Sequence, residues 1–309
     1  MQITRRELGL FALGSAAASA MNESSAAETF PGATDCHVHI IGPQSKYPLA
    51  ANRPYTPPEA TVAQLKAMHA RLGITRTVLV QPSFYGTDNS CMLDALGQLG
   101  NSARAVAVIA LNTPDQTLKE MDAKGVRGVR INLESAGNRD PKAAAAMLAA
   151  FGKKVAPLNW HVQIYTVATV IDKLVNAIVD MPVPVVIDHF GMPGGAEGTN
   201  FKGSQAVVDL AHARKAYVKL SGEYRFSKMP LGDDVKRLAQ TLIYAARDRM
   251  LWGSDWPHTQ TIPGHPVNEP TPFYKIDDAA YLKALTEWYP DETTRKMILV
   301  DNPAKLYRF

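Results

Sequence analysis

Eight apolar runs of strand length recur along this chain, and segments with a helical apolar pattern separate them. The runs cover residues 34–40, 76–81, 105–110, 126–132, 160–165, 183–189, 216–222 and 250–255. Alternation of strand and helix calls for a parallel sheet, because each helix carries the chain back to start the next strand in the same direction. Eight such units within residues 31–309 match a closed (β/α)8 TIM barrel, for which about 250 residues is typical. An open doubly wound sheet is the rival. No glycine-rich dinucleotide fingerprint follows the first run, which argues against it. No composition shift marks a second domain, so residues 31–309 are expected to form one barrel.

Local signals support the helices. Asp88 is placed to cap a helix running to about Leu99, and Thr113-Pro114 opens the next one with proline in its first turn. A Pro-rich loop with Tyr47, Arg53 and Tyr55 follows the first run, and a long loop from Trp256 follows the last.

Residues 1–30 differ in kind. Thr4-Arg5-Arg6-Glu7-Leu8-Gly9-Leu10 has the adjacent arginines of a twin-arginine export signal. A short apolar run and Ala18-Ser19-Ala20, which fits a cleavage site, follow it. The expectation is a periplasmic protein handed to the export machinery, and a cytoplasmic one where the leader is not processed. The run is too short to anchor the chain in a membrane. A formal charge of +4, without a Lys/Arg-rich run, gives no nucleic-acid footprint. The only two cysteines are Cys36, read as a small buried filler, and Cys91, read as core.

In a barrel of this kind chemistry sits at the C-terminal strand ends. The polar residues there are His37 and His39 on the first run, Arg130 on the fourth, Tyr165 on the fifth and His189 on the sixth. Glu223, Tyr224 and Arg225 follow the seventh, and Asp255, Trp256 and His258 end the eighth. His37 and His39, two apart on a strand, share a face. Asp188 is read as the partner that orients His189. His161 opens its strand at the end away from the chemistry and is read as structural. Arg127 and Lys219 are placed at the barrel periphery.

The motifs Asp35-Cys36-His37-Val38-His39, Ile187-Asp188-His189-Phe190-Gly191 and Trp252-Gly253-Ser254-Asp255-Trp256-Pro257-His258, with Asp301-Asn302-Pro303, resemble the amidohydrolase superfamily. Val80-Gln81-Pro82-Ser83, Arg127-Gly128-Val129-Arg130 and Trp160-His161-Val162-Gln163-Ile164-Tyr165 resemble its 2-pyrone-4,6-dicarboxylate lactonase branch. The resemblance implies an anionic-lactone hydrolase of aromatic catabolism. In it Asp255 activates water, and His37, His39 and His189 stabilise the oxyanion. Arg130 and Arg225 clamp the substrate's anionic groups, and Tyr165, Ser83 and Tyr55 assist binding. The branch carries a further arginine soon after the strand-four one. Leu133-Glu134-Ser135-Ala136 holds none, so a substituted or sulfonated muconolactone fits at least as well as the pyrone dicarboxylate.

A two-metal site in this superfamily takes a lysine on strand four and a histidine on strand five. Arg130 and Tyr165 stand there, which argues against it. One zinc on His37, His39 and Asp255 stays open, three protein ligands being a usual catalytic shell. Chemistry that needs no metal is the expectation. The alternatives are a zinc-dependent decarboxylase or amidase, a sugar-acid lactone isomerase, and a binding protein without chemistry. The isomerase does not keep the strand-eight aspartate or the strand-one histidines, both retained here.

Replacing both arginines of the leader, Arg5→Lys with Arg6→Lys, should hold the chain in the cytoplasm. Cell fractionation with an activity assay checks this, and unchanged periplasmic activity would remove the export reading.

Overall fold

A computed structural model describes residues 30–134, 140–194 and 204–309. The leader, Ser135 and Ala136, and Gly195 and Gly198 of the glycine-rich loop lie outside the described residues. One sheet holds eight strands in the order β1 to β8. They are β1 (Thr34–Val38), β2 (Arg76–Val80), β3 (Ala103–Ala107), β4 (Val126–Asn132), β5 (His161–Tyr165), β6 (Val185–Ile187), β7 (Ala216–Leu220) and β8 (Met250–Trp252). Every neighbouring pair is parallel. The chain beyond β8 returns to β1: Trp256 bridges Val38, Asp255 N donates to His37 O at 2.9 Å, and His39 N donates to Trp256 O at 2.8 Å. This is the (β/α)8 barrel that the alternation predicts.

The helices are α1 (Val62–Leu72), α2 (Ser90–Leu99), α3 (Asp115–Lys124), α4 (Pro141–Val155), α5 (Ala168–Val179), α6 (Ser204–His212), α7 (Asp233–Ala246), α8 (Asp278–Trp288), α9 (Glu292–Lys296) and α10 (Asn302–Tyr307). Thr61 and Gln64 start α1 with a reciprocal capping box, and Gly73 ends it at φ 68°. Asn89, not Asp88, is the residue before α2; Asp88 Oδ1 accepts from Ser90 N at 3.0 Å. Ile171, Leu174 and Ile178 on α5 show the helical spacing of a face turned to the sheet, and all are buried.

Strands β6 and β8 are shorter than their apolar runs. Asp188-His189 and Ser254-Asp255 leave the ladder and turn at the rim. His189 (φ 52°) and Asp255 (φ 65°) adopt left-handed backbone there. Such geometry costs on the order of 1–3 kcal/mol each and persists where surrounding bonds over-determine it.

Side chains alternate between the outer layer, under the helices, and a smaller interior cluster of Cys36, Val78, Val80, Val106, Val186, Tyr217, Leu251 and Tyr307. A register shift between Asp35 and Val38 breaks the alternation, so that Cys36 and His37 both serve the interior. Both cysteines are buried and free. Lys219 is not peripheral as expected. It is wholly buried on β7, where the two-residue period puts it on the interior face with Tyr217 and Ser221. Arg127 does sit at the edge, its Nη1 3.1 Å from Asp122 Oδ1. Asn302 ties the C-terminal helices to the barrel, donating to Arg247 O and Met250 O at 2.8 Å each. No helix among the described residues is long and apolar enough to cross a membrane.

His161 lies at the start of β5, and its ring crosses Gly128 of β4. A Cβ on Gly128 would come within 2.4 Å of that ring. Gly128→Ala should therefore destabilise the barrel by about 1–3 kcal/mol through overpacking. The rim residues lie later in the strands, so turnover per folded molecule should hold. Urea unfolding with kcat on the same preparation tests both halves; an unchanged midpoint would count against this packing.

Candidate active site

The barrel brings the predicted rim residues to one place. His37 Nε2 and His39 Nε2 lie 3.8 and 3.9 Å from Asp255 Oδ1, and His189 Nε2 lies 3.9 Å from Asp255 Oδ2. All four side chains are buried. Each imidazole is held by its other nitrogen. His39 Nδ1 is 2.7 Å from Val80 O, His189 Nδ1 is 2.9 Å from Ser221 Oγ, and His37 Nδ1 is 3.3 Å from Lys219 Nζ, with Asp188 Oδ1 also at 3.3 Å but not hydrogen-bonded to it.

Asp188 thus has a different partner from the one the sequence suggested. It faces His37, not His189, and also accepts from Gln163 Nε2 at 3.0 Å and Arg130 Nε at 3.3 Å. Lys219 completes this buried group, its Nζ 2.8 Å from Gln163 Oε1 and 3.3 Å from His37 Nδ1. His189 takes the Ser221 hydroxyl instead, because its left-handed backbone turns it away from the carboxylate beside it in sequence.

A cavity of about 320 Å³ opens over the trio. Arg130, Arg225, Tyr165, Ser83 and Tyr55 all line it, with His39, His189 and Asp255. His37 sits beneath. The Arg130 guanidinium stacks 5.2 Å over the Tyr165 ring. Arg225 lines the cavity and also makes a 2.5 Å bond from Nε to Asp255 Oδ2, a second engagement that its residue type did not announce. Sequence reasoning missed Thr259, Gln260 and Thr261 in the long loop after β8, Asn132 at the end of β4 and Glu134 just after it. Their only signal was position just beyond a strand end. Gln163 and Lys219 were readable from the two-residue period of β5 and β7.

Burial alone would raise the Asp255 carboxyl, but the Arg225 guanidinium outweighs it and holds the group well below the usual carboxylate range. Burial, with Arg130 second, pushes His39 down to about 3. Burial also takes His189 to about 4 and His161 to about 3, and holds His37 well below its ordinary value. The rim therefore carries an ionised aspartate among neutral imidazoles. His39 Nδ1 faces a carbonyl, which only accepts, so it carries the proton and Nε2 keeps its lone pair. Ser221 can donate to His189 Nδ1, which leaves Nε2–H of that ring as a donor.

These residues also fit one small divalent ion. Donor atoms of His37, His189 and Asp255 lie within 4.8 Å of one another, with His39 Nε2 beside them. His37 Nε2 and Asp255 Oδ1 are buried without a hydrogen-bond partner among the described residues. His39, held through Nδ1 by the Val80 carbonyl, has the usual outer support of a metal-binding histidine.

An ionised base beside donors for a developing oxyanion is what the addition of water to an ester-type carbonyl requires. Fold and rim together define a barrel hydrolase. The chain belongs to the amidohydrolase family, whose model matches residues 34–309. It is 34% identical over 281 residues to the 4-sulfomuconolactone hydrolase of Hydrogenophaga intermedia, spanning 90% of this chain and 89% of that one. It is 32% identical over 287 residues to the 2-pyrone-4,6-dicarboxylate hydrolase of Comamonas testosteroni, spanning 89% and 90% respectively. A crystal structure of a probable 2-pyrone-4,6-dicarboxylic acid hydrolase from Acinetobacter baumannii, with citric acid bound, superposes with a TM-score of 0.77 at 28% identity. That match covers 90% of this chain and 100% of the other.

The buried imidazoles make stability depend on pH. The unfolded chain takes up their protons near 6.5, whereas the folded chain refuses them on His39, His161 and His189 down to about 3 to 4. Their contribution is complete above about pH 6.5 and is lost as pH falls from there toward 3, each by up to about 1.4 kcal/mol per pH unit. Glu223, raised from 4.5 to about 8, offsets about one of these rings between pH 4.5 and 6.5, so urea midpoints should still fall steadily from pH 6.5 through pH 5. A level profile from pH 7 to 5 would show that these rings are not held neutral.

Proposed function

We propose that this chain opens the ring of a small anionic lactone from the breakdown of aromatic compounds, using water activated by Asp255. One observation carries the reading: the ionised carboxylate of Asp255 presents a buried oxygen, Oδ1, without a hydrogen-bond partner among the described residues, toward His37 and His39 at the floor of a cavity lined by two guanidinium groups. The relatives whose names describe hydrolases of sulfomuconolactone and of pyrone dicarboxylate support the substrate class. A cavity of about 320 Å³ suits one small ring, not a polymer.

In this mechanism Arg130 holds a carboxylate or sulfonate of the substrate, a pairing its planar fork favours. Arg225 contributes to the same anionic contact while it keeps Asp255 ionised. Water lies between Asp255 Oδ1 and the lone pair of His39 Nε2. Asp255 takes one proton as the water oxygen bonds to the carbonyl carbon. Nε2–H of His189 and the Tyr165 hydroxyl donate to the developing oxyanion. The ring C–O bond then breaks, and the proton on Asp255 passes to the leaving oxygen. The other water proton leaves when the new acid ionises. A divalent ion bound by His37, His39, His189 and Asp255 would supply Lewis-acid polarisation of the carbonyl and a more acidic water.

Asp255→Asn should lower kcat by about 10²–10⁴-fold, the range for loss of a general base, with KM within a few-fold. Arg130→Met should raise KM for anionic lactones far more than for neutral ones. Loss of ultraviolet absorbance on mixing with dicarboxylate and sulfonated lactones reads both. Near-full turnover by Asp255→Asn would remove the assigned base. Elemental analysis, with activity before and after chelation, decides the role of metal: turnover by stripped protein supports the aspartate–imidazole route, and loss restored by zinc replaces it with a metal-assisted one.

A further inference from the structure

Asp255 has two oxygens in very different surroundings. Oδ1 faces the imidazoles and has no hydrogen-bond partner among the described residues. Oδ2 accepts from Arg225 Nε at 2.5 Å and from the Tyr224 hydroxyl at 2.8 Å. The two donors are not equivalent. Arg225 lines the cavity, where a substrate anion competes for it, whereas Tyr224 is not among the lining residues. Its bond to Oδ2 can therefore persist when substrate binds.

The Tyr224 hydroxyl is itself held from behind. It lies 3.2 Å from His258 Nδ1 and, having given its hydrogen to Asp255, accepts there. The tyrosine ring is packed by Tyr274 at 5.0 Å and Tyr281 at 6.3 Å. His258 is fixed by its own backbone, donating from N to Asp255 O at 2.9 Å and accepting from Tyr274 N at 2.9 Å. A string of side chains thus runs from His258 through Tyr224 to one oxygen of the carboxylate, and both of its ends lie in the turn from Asp255 to His258.

We propose that Tyr224, anchored by His258, is the positioning residue that keeps Oδ1 of Asp255 turned to the reacting water. This rests on the reading of Asp255 as the base and names what selects its reacting oxygen. A carboxylate that swings about its last bond presents either oxygen, and a base displaced by about 1 Å can lose about 10²-fold in rate. Groups supporting the reacting residue are what hold such geometry.

The test is steady-state turnover of whole enzyme on a lactone it hydrolyses, in water and in deuterium oxide. Tyr224→Phe keeps the ring and removes only the hydroxyl. It should lower kcat about tenfold or more, leave KM within about twofold, and raise the solvent isotope effect on kcat as proton transfer becomes more limiting. His258→Leu should shift kcat in the same direction by less. A variant with fewer folded molecules would lower kcat with its isotope effect unchanged, and that result overturns the proposal. So does Tyr224→Phe with kcat within twofold of the parent. If Tyr224→Phe does not fold, His258→Leu decides: it removes the group behind the hydroxyl, and an unchanged kcat and isotope effect there overturns the proposal. Failure of the base assignment is read separately, from Asp255→Asn.

Discussion

The junction between β1 and the chain beyond β8 is the constraint on which the rim depends. Asp35 forms it. Its Oδ1 accepts from His37 N at 3.1 Å and Ser254 N at 2.9 Å, and its Oδ2 from Ser254 Oγ at 2.5 Å. His69 Nε2 on α1 lies 3.2 Å from Oδ2 and joins the outer layer to the same point. Gly253 makes the approach feasible, since a Cβ there would stand 2.9 Å from His37 N and from His37 Cβ. One residue of slippage would move a side chain by about 3.3 Å along the strand, more than the latitude of any contact at the rim. Closing the barrel and assembling the site are thus a single event.

The same junction sets an electrostatic problem. Removing an ion from water costs several kcal/mol unless partners replace the solvent. The interior meets this by grouping. Asp188 is matched by Arg130 and Lys219, and Asp255 by Arg225. The imidazoles avoid the difficulty by remaining neutral. Glu223, buried next to this group, pairs with no cation among the described residues, and burial pushes its carboxyl up to about 8. Neutral acid there and ionised acid at Asp255 differ because a guanidinium reaches only one of them.

Much of this was legible in the chain. Period and punctuation give eight strand–helix units, and the residues late in each apolar run are those that meet at the rim. Partnership was less legible. Asp188 and His189 are adjacent in sequence yet serve different rings, because the backbone turns between them. Lys219 read as peripheral because a lone lysine in an apolar run suggests solvent, although its parity with Ser221 placed it inside. Arg225 showed its charge but not its bond to Asp255, since that pairing spans the gap between β7 and β8. Thr259 to Thr261 carry no motif, and only the path of their loop brings them over the cavity.

That loop marks a division within the site. The residues of the proposed chemistry stand on strand ends or the turns directly after them, fixed by the barrel. Part of the cavity wall instead comes from two long loops: Pro54 and Tyr55 from one, Thr259 to Thr261 from the other. Thr56 joins the loops. Its O accepts from Thr271 N at 2.7 Å, its Oγ1 donates to Val267 O at 2.5 Å, and Arg53 Nε donates to that hydroxyl at 2.8 Å. Two loops stapled at one residue move as a unit, so a change in either reshapes the wall without disturbing the base and imidazoles below. Loops accept such change readily where strands do not. One set of rim groups can therefore serve lactones that differ in the anion they carry, with the choice made in the walls and the hydrolysis kept in the barrel.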